Sequence, residues 1–296
     1  MKSAQTLGPL AAPAKINWFL NIVGRRDDGY HELQSAFQFL TLADRLQFAP
    51  RDDGEIRRLP DIAGIPERDD LVVKAAWALR HASGTDRGVT ITVDKRIPTG
   101  AGLGGGSSDA ATTLVALNAL WDLGIDSERL ATIGLTLGAD VPIFLFGRSA
   151  WAEGIGERLV PVRLPEVWLV VIYPDQSIPT RDIFTASKLT RNSAPRTIPR
   201  FLRESESGPL RPADVLAVAN NDCEVVARHL YPVVGEALEW LGQYGTARMT
   251  GTGSAIFCAF GSYREAVDVA AQVPARWQGF VTQTRNRSAT VTHDPD

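Results

Sequence analysis

Five glycines fall within the seven residues Gly100 to Gly106, between Ile97-Pro98-Thr99 and Ser107-Ser108-Asp109-Ala110-Ala111. No regular element accommodates that density, because glycine inside a helix or strand costs roughly 0.5–1 kcal/mol relative to alanine. The chain must turn here, and backbone without Cβ atoms can approach a ligand closely. The stretch that follows, 107–122, is rich in Ala, Leu and Thr and reads as a helix. Its first turn supplies unpaired N–H donors and about half a positive charge. Amides converging on such an end suit a phosphate chain, and Ser107 or Ser108 can donate to phosphate or ligate Mg²⁺. No Lys follows the last glycine, so the segment is not a P-loop. Gly102-Leu103-Gly104 opens a dinucleotide fingerprint, but Ser107 stands in the sixth place. The plain alternative is a flexible loop before an ordinary helix.

The remainder of the chain is ordinary globular sequence. Hydrophobic residues make up 44% and charged residues 22% of the 296 positions, which excludes disordered, collagen-like and coiled-coil chains. That length suggests about two domains. The net charge of −3 offers no overall attraction to nucleic acid or acidic membranes. The longest apolar runs, 141–146 and 167–173, fall far short of the ~18 residues of a membrane helix, and no signal peptide is read. Cys223 and Cys258 form no CxxC pair, so a reducing cytoplasm without disulfides is expected.

Ala14, Ile16, Trp18, Leu20 and Ile22 alternate with Lys15, Asn17, Phe19 and Asn21, predicting a strand. The polar turn 24–29 and a returning strand 30–40 complete a hairpin, with a further strand at 44–49 and loop at 50–68. Asp69-Asp70 cap a helix carrying Leu71, Val72, Ala75, Ala76 and Leu79. A strand is predicted at 89–93, a second helix at 127–137 stopping at Gly138, and two strand-like runs within 150–173. Residues 190–212 are the least hydrophobic part and read as a mobile loop or an inter-segment connection. Helices follow at 213–229 and 233–243, paired strands at 247–250 and 255–260, and a helix at 263–272. The tail after Thr284 reads as polar and fraying. The series predicts an α+β protein, with an N-terminal unit 1–160, a C-terminal unit 161–285 and a polar tail 286–296.

Three segments in order carry a family resemblance: Pro13-Ala14-Lys15-Ile16-Asn17, Pro98 through Ala111, and Thr250-Gly251-Thr252-Gly253-Ser254. Together the chain resembles the GHMP kinase superfamily. The resemblance implies two domains, one like ribosomal protein S5 and one ferredoxin-like, with the active site in the cleft between them. It implies ATP as co-substrate, its phosphates on Pro98, Gly100, Ala101, Gly102, Leu103, Gly104, Gly105, Gly106, Ser107 and Ser108. Lys95 and Asp70 would flank the adenine end; by themselves they read as a surface Lys and a helix cap. Mg²⁺ would come with ATP, and the remaining His81, His229 and His293 show no metal-ligand spacing.

Gly29-Tyr30-His31-Glu32-Leu33 and Gly138-Ala139-Asp140-Val141-Pro142 narrow the resemblance to the branch acting in the non-mevalonate route to isoprenoids. Its substrate is a cytidine diphosphate methylerythritol, phosphorylated on the 2-hydroxyl. The resemblance makes Asp140 the general base; the residue alone reads equally as the N-cap of a helix with Pro142 near its start. Lys15 becomes the cation beside Asp140 and the reacting groups, where the strand pattern alone suggests a solvated face. Asn17 would orient substrate, Tyr30 would stack on the cytosine and His31 would bond its edge, as alternatives to core packing and a surface His. Thr180 would line the acceptor side and Phe184 the second face of the base. Asp109 and Asp70 depart from the family, which more often has Asn at both positions. Arg181, Lys188, Arg191, Arg196, Arg200 and Arg203 form a basic run, solvated or attracting the diphosphate. Other classes to weigh are a homoserine or mevalonate type of kinase, a non-catalytic nucleotide-binding regulator and an RNA-binding module. The kinase reading implies a monomer or weak homodimer in the cytoplasm, with no nucleic acid or membrane partner.

Overall fold

The computed structural model describes residues 6–62, 64–199, 202, 211–218 and 220–290. Two long strands, β1 (Leu7–Arg25) and β2 (His31–Arg51), form one antiparallel hairpin in which Lys15 faces Phe39 and Asn17 faces Phe37. Residues 12–22 of β1 are buried throughout, so the face carrying Lys15, Asn17 and Asn21 is covered by protein rather than by solvent. The strand expected to end near Leu40 instead runs on to Arg51 as part of β2. Then come β3 (Ile56–Leu59), a 3₁₀ turn (Glu67–Asp69), α1 (Leu71–Ser83), β4 (Gly88–Asp94), α2 (Gly105–Leu120), α3 (Ser127–Leu137), α4 (Val141–Phe146), β5 (Ala150–Glu153) and β6 (Arg158–Pro161). The second half comprises β7 (Trp168–Tyr173), α5 (Thr180–Thr185), α6 (Pro212–Leu216), α7 (Asp222–Leu230), α8 (Pro232–Gly242), β8 (Arg248–Met249), β9 (Ile256–Phe260), α9 (Tyr263–Ala270) and β10 (Gln278–Arg285).

The sheet runs β3-β4-β2-β10-β7-β9-β8, with β1 and β5 also on β2 and β6 on β5. β10 joins the halves: it pairs with β7 along most of its length and with β2 at Thr284 and Arg285. One core lies between the N-terminal strands and α1 to α4, a second around Trp18, Trp151 and Phe257, and a third between β7, β9 and the C-terminal helices. Ala14, Ile16 and Trp18 enter the second core, while Leu20 and Ile22 of the same strand enter the third.

Several expectations are corrected. The segment 50–68 contains β3, which pairs parallel to β4; its polar look comes from Arg58, which is buried because it ion-pairs with Asp70 at 2.9 Å. Residues 190–199 are pinned rather than mobile. The Ser193 N–H donates to the Ile22 carbonyl, and Arg196 exchanges two hydrogen bonds with the Gln34 side chain. Polar contacts hold this stretch, so its composition concealed them. Residues 200, 201 and 203–210, with Arg200 and Arg203, lie outside the described residues, as do 291–296 with His293. The single helix expected over 213–229 is two, α6 and α7, the second capped by the Asn221 side chain on the Cys223 N–H. The tail does not fray at Thr284. β10 continues to Arg285, the Ser288 N–H reaches the Gly147 carbonyl, and Thr290 is buried with its hydroxyl on the Ala11 carbonyl.

Phe257 is fully buried, and its ring meets Trp18 edge-on at 5.7 Å across the two halves. Truncation there leaves a cavity. Phe257→Ala should cost about 3–5 kcal/mol, read as a lower urea midpoint with an unchanged m-value; a shift within error would place the shared core elsewhere.

Candidate active site

The glycine loop connects β4 to α2. Gly104 takes φ +72° at the N-cap of α2, a backbone state that L side chains rarely adopt. A Cβ on Gly102 would lie 2.5 Å from the Thr250 carbonyl oxygen, so the C-terminal Gly turn can close onto the loop only because that atom is missing. The loop is tied to both halves: the Lys15 N–H donates to the Leu103 carbonyl at 2.9 Å, and the Ala255 N–H to the Ala101 carbonyl at 2.9 Å. Ala101 and Leu103 bury their side chains and offer the site only backbone. Pro98 to Ser107, with Lys95, Asp70 and Asp109, line a hollow of about 280 Å³. Gly100, Gly102 and Ser107 also line a larger cleft of about 820 Å³. Ser107 therefore faces both spaces, whereas Ser108 is fully buried and its hydroxyl has no partner among the described residues.

Lys15 and Asp140 line the larger cleft, which shares Gly100, Gly102 and Ser107 with the hollow. Lys15 is 2% exposed, which removes the solvated-face reading. Its ammonium lies 3.2 Å from Asp140 Oδ2, donates to Asn17 Oδ1 at 2.6 Å, and sits 5.3 Å from the Phe37 ring centroid. Asn17 is itself fixed: its N–H donates to the Thr250 hydroxyl at 2.8 Å and its amide to the Ser35 hydroxyl at 2.7 Å. Asp140 occupies the N-cap position of α4 with Pro142 behind it, yet its side chain makes no capping bond. The carboxylate, about a third exposed, points to Lys15 and lines the cleft.

At the far end of the cleft are Tyr30, His31, Thr180, Arg181, Phe184 and Arg191. Tyr30 is 58% exposed, presenting its ring to solvent. His31 stacks on Phe184, centroids 5.0 Å apart and planes 20° off parallel, an offset stack that covers part of one Phe184 face. Thr180 pairs its hydroxyl with that of Thr252 at 3.2 Å, joining α5 to the C-terminal Gly turn. Arg191 is not a solvated member of a basic run: its guanidinium bonds His31 and three carbonyl groups. Thr250 and Arg191 were not singled out in sequence; the first lay inside the quoted Gly turn, while the second carries no local pattern.

Lys95 and Asp70 both touch the loop hollow but are engaged from behind. Asp70 caps α1 through the Val72 N–H at 3.0 Å and pairs with Arg58. Lys95 sits between Asp44 at 2.5 Å and Asp109 at 2.7 Å. Asp44 also accepts the Arg96 and Ile97 N–H groups, so this cluster ties the end of β4 to the first turns of α2. The family departure at Asp109 thus lines the hollow as a buried group held by Lys95. Burial pushes its carboxyl up to about 8; Lys95 opposes that shift and Asp44 reinforces it.

The folded chain therefore holds at Asp109 a proton that an ordinary carboxyl, near 3.8, releases on unfolding. Stability from that proton is full at acid pH and is lost as pH rises through the folded value. Urea midpoints taken from about pH 5 to about pH 9 should fall more steeply for the native chain than for Asp109→Asn. Parallel slopes would show that Asp109 is ionised throughout.

Two family models match: "GHMP kinases N terminal domain" over residues 70–148 and "GHMP kinases C terminal" over 208–279. A 4-diphosphocytidyl-2-C-methyl-D-erythritol kinase of Halorhodospira halophila is 51% identical over 280 residues, covering 94% of this chain and 93% of its own. A crystal structure of 4-(cytidine 5'-diphospho)-2C-methyl-D-erythritol kinase superposes with a TM-score of 0.77 at 35% identity, covering 95% of this chain and 99% of that one. A mevalonate kinase shares the fold at a TM-score of 0.67 with 12% identity, over 94% and 99% of the two chains. With its glycine loop, its two-part α+β architecture and this identity over nearly its whole length, the chain belongs to the 4-diphosphocytidyl-2-C-methyl-D-erythritol kinase family of GHMP kinases.

Proposed function

We propose that this kinase transfers the γ-phosphate of ATP to the 2-hydroxyl of 4-diphosphocytidyl-2-C-methyl-D-erythritol, giving the 2-phosphate and ADP, with Asp140 as general base and Lys15 beside it. The observation that carries the residue assignment is the Lys15–Asp140 pair, 3.2 Å apart in the cleft that shares Gly100, Gly102 and Ser107 with the glycine-loop hollow. Phosphoryl transfer asks for positioning and charge stabilisation rather than covalent help from the protein. Loop amides and the N-terminus of α2 hold the triphosphate. An acceptor hydroxyl reaching Asp140 gives up its proton to the carboxylate as it attacks phosphorus. Lys15 spends donors on Asp140 and Asn17; an ammonium has a third, available to oxygen on the group in transit.

The acidic side chains that line the hollow beside the loop helix and the cleft beside Lys15, Asp109 and Asp140, are each engaged by a lysine. Mg²⁺ would therefore arrive with ATP and be held chiefly by phosphate oxygens and water, with the Ser107 hydroxyl as the loop side chain able to join them. Bound there it would neutralise charge on the β- and γ-phosphates. Tyr30, His31 and Phe184 supply stacking and an edge contact for the cytosine, and the hydroxyls of Thr180 and Thr252 face the intervening chain. No helix of the described residues is long and apolar enough to cross a membrane. Both thiols are buried, and burial pushes Cys223 up to about 12 and Cys258 up to about 11, so neither is a thiolate at neutral pH.

A coupled ADP-release assay with the cytidylated acceptor tests this reading. The native chain should turn over. Asp140→Ala should retain ATP binding and lose about 10²–10⁴ in kcat; an undiminished kcat would remove Asp140 from the chemistry. Tyr30→Ala should raise KM for the acceptor by the equivalent of about 1–3 kcal/mol of lost stacking and leave KM for ATP alone. A native chain inert towards the cytidylated acceptor would overturn the assignment.

A further inference from the structure

We infer that Arg191 is a positioning residue for base selection: it fixes His31 as the neutral Nδ1–H tautomer, so that the cleft presents a donor to the base and accepts cytosine over uracil. The inference rests on the cytidylated acceptor proposed above and adds the device that recognises its base.

An arginine guanidinium only donates hydrogen bonds. Arg191 Nε lies 3.1 Å from His31 Nε2 and donates to it, so Nε2 must carry a lone pair and the ring proton must sit on Nδ1. The guanidinium cannot turn away, because its other nitrogens are spoken for. One Nη donates to the Leu189 carbonyl at 3.2 Å; the other donates to the Phe184 and Ala186 carbonyls at 2.9 and 2.8 Å. These carbonyls surround the C-terminal end of α5, whose Phe184 stacks on the His31 ring. Phe184 thus sets the plane of the imidazole and Arg191 its rotation. The charges agree: burial, then Arg191, then Arg25 hold the His31 pKa below its ordinary value, which keeps the imidazolium from forming. None of the described residues hydrogen-bonds Nδ1, and His31 lines the cleft.

The base position that best separates the two pyrimidines is N3, a lone pair in cytosine and an N–H in uracil. A fixed Nδ1–H pairs with the first and opposes the second, leaving two donors unpaired in a partly desolvated pocket. A protonatable or freely rotating histidine would discriminate less, since it can present either a donor or an acceptor. Lysine cannot replace Arg191, because the planar fork reaches His31 and the helix carbonyls at once.

Two measurements test this. Long-range ¹H–¹⁵N spectra of the full native chain, labelled at histidine, should show His31 protonated on Nδ1 and bare on Nε2 near neutral pH; the Nε2–H tautomer would overturn the inference and needs no variant to fold. Steady-state kinetics should compare cytidine and uridine diphosphate methylerythritol as acceptors. The native chain should favour the cytidine form, and both Arg191→Met and Arg191→Lys should lose about tenfold of that preference. The loss should appear in the acceptor KM, with kcat and the ATP KM nearly unchanged. A native chain indifferent to the base, or variants with undiminished preference, would also overturn it. A native chain that phosphorylates neither acceptor refutes the proposed function instead, and the tautomer then stands or falls by the spectra alone.

Discussion

The ammonium of Lys15 is a charge with almost no access to water, and the site is arranged around that fact. Desolvating such a group costs several kcal/mol unless partners replace the lost hydration. Asp140 and Asn17 do so, from the start of α4 and from the same strand face. Asn17 can serve only because Thr250 and Ser35 fix its backbone and its amide. The backbone of Lys15 meanwhile anchors the glycine loop through Leu103. One residue thus couples β1, the phosphate loop, α4 and, through Asn17, the C-terminal Gly turn. The need to satisfy one buried cation and the juxtaposition of the groups proposed for catalysis are met by the same contacts.

A second buried cation governs the back of the loop. Lys95 joins Asp44, which receives the chain leaving β4, to Asp109 in the first turns of α2. The arrangement fixes where the helix N-terminus points, and hence where its amides meet a phosphate. An acidic residue beside an anion site looks unfavourable until its burial is taken into account: the carboxyl that burial drives towards its neutral form repels phosphate less. At the opposite end of the cleft the physics changes from charge to stacking and hydrogen-bond polarity, with Arg191 holding the ring that Phe184 covers. The cleft between these ends spans about 820 Å³, room for a substrate with a base at one end and a reacting hydroxyl at the other.

Much of this was legible in one dimension. The glycine cluster announced a turn into a helix with backbone open to a ligand, and the hairpin announced itself by period-two alternation. Lys15 and Asp140 stood out only through the family resemblance, since the strand pattern alone put Lys15 on a solvated face and Asp140 read equally as an N-cap. What separated the readings was tertiary. Whether Lys15 faced water depended on the helices and the C-terminal turn that cover β1. Whether Asp140 capped α4 or left it depended on where Lys15 lay.

Other features had no local signature. β10 is an unremarked polar-apolar stretch whose role comes from pairing with strands far away in the chain. Arg58 and Asp109 look like surface charges until their partners are known, and the 190–199 segment looks mobile until Ile22 and Gln34 hold it. Arg191 belongs with these, one arginine among several until folding sets it against an imidazole and three carbonyl groups. The amino-acid order by itself determined the α+β class, the phosphate loop and which polar residues were candidates for chemistry, because backbone conformation and hydrophobic period are local properties. Burial, ionisation and hydrogen-bond polarity were decided only by the tertiary structure, because each depends on groups that the chain brings near from a distance.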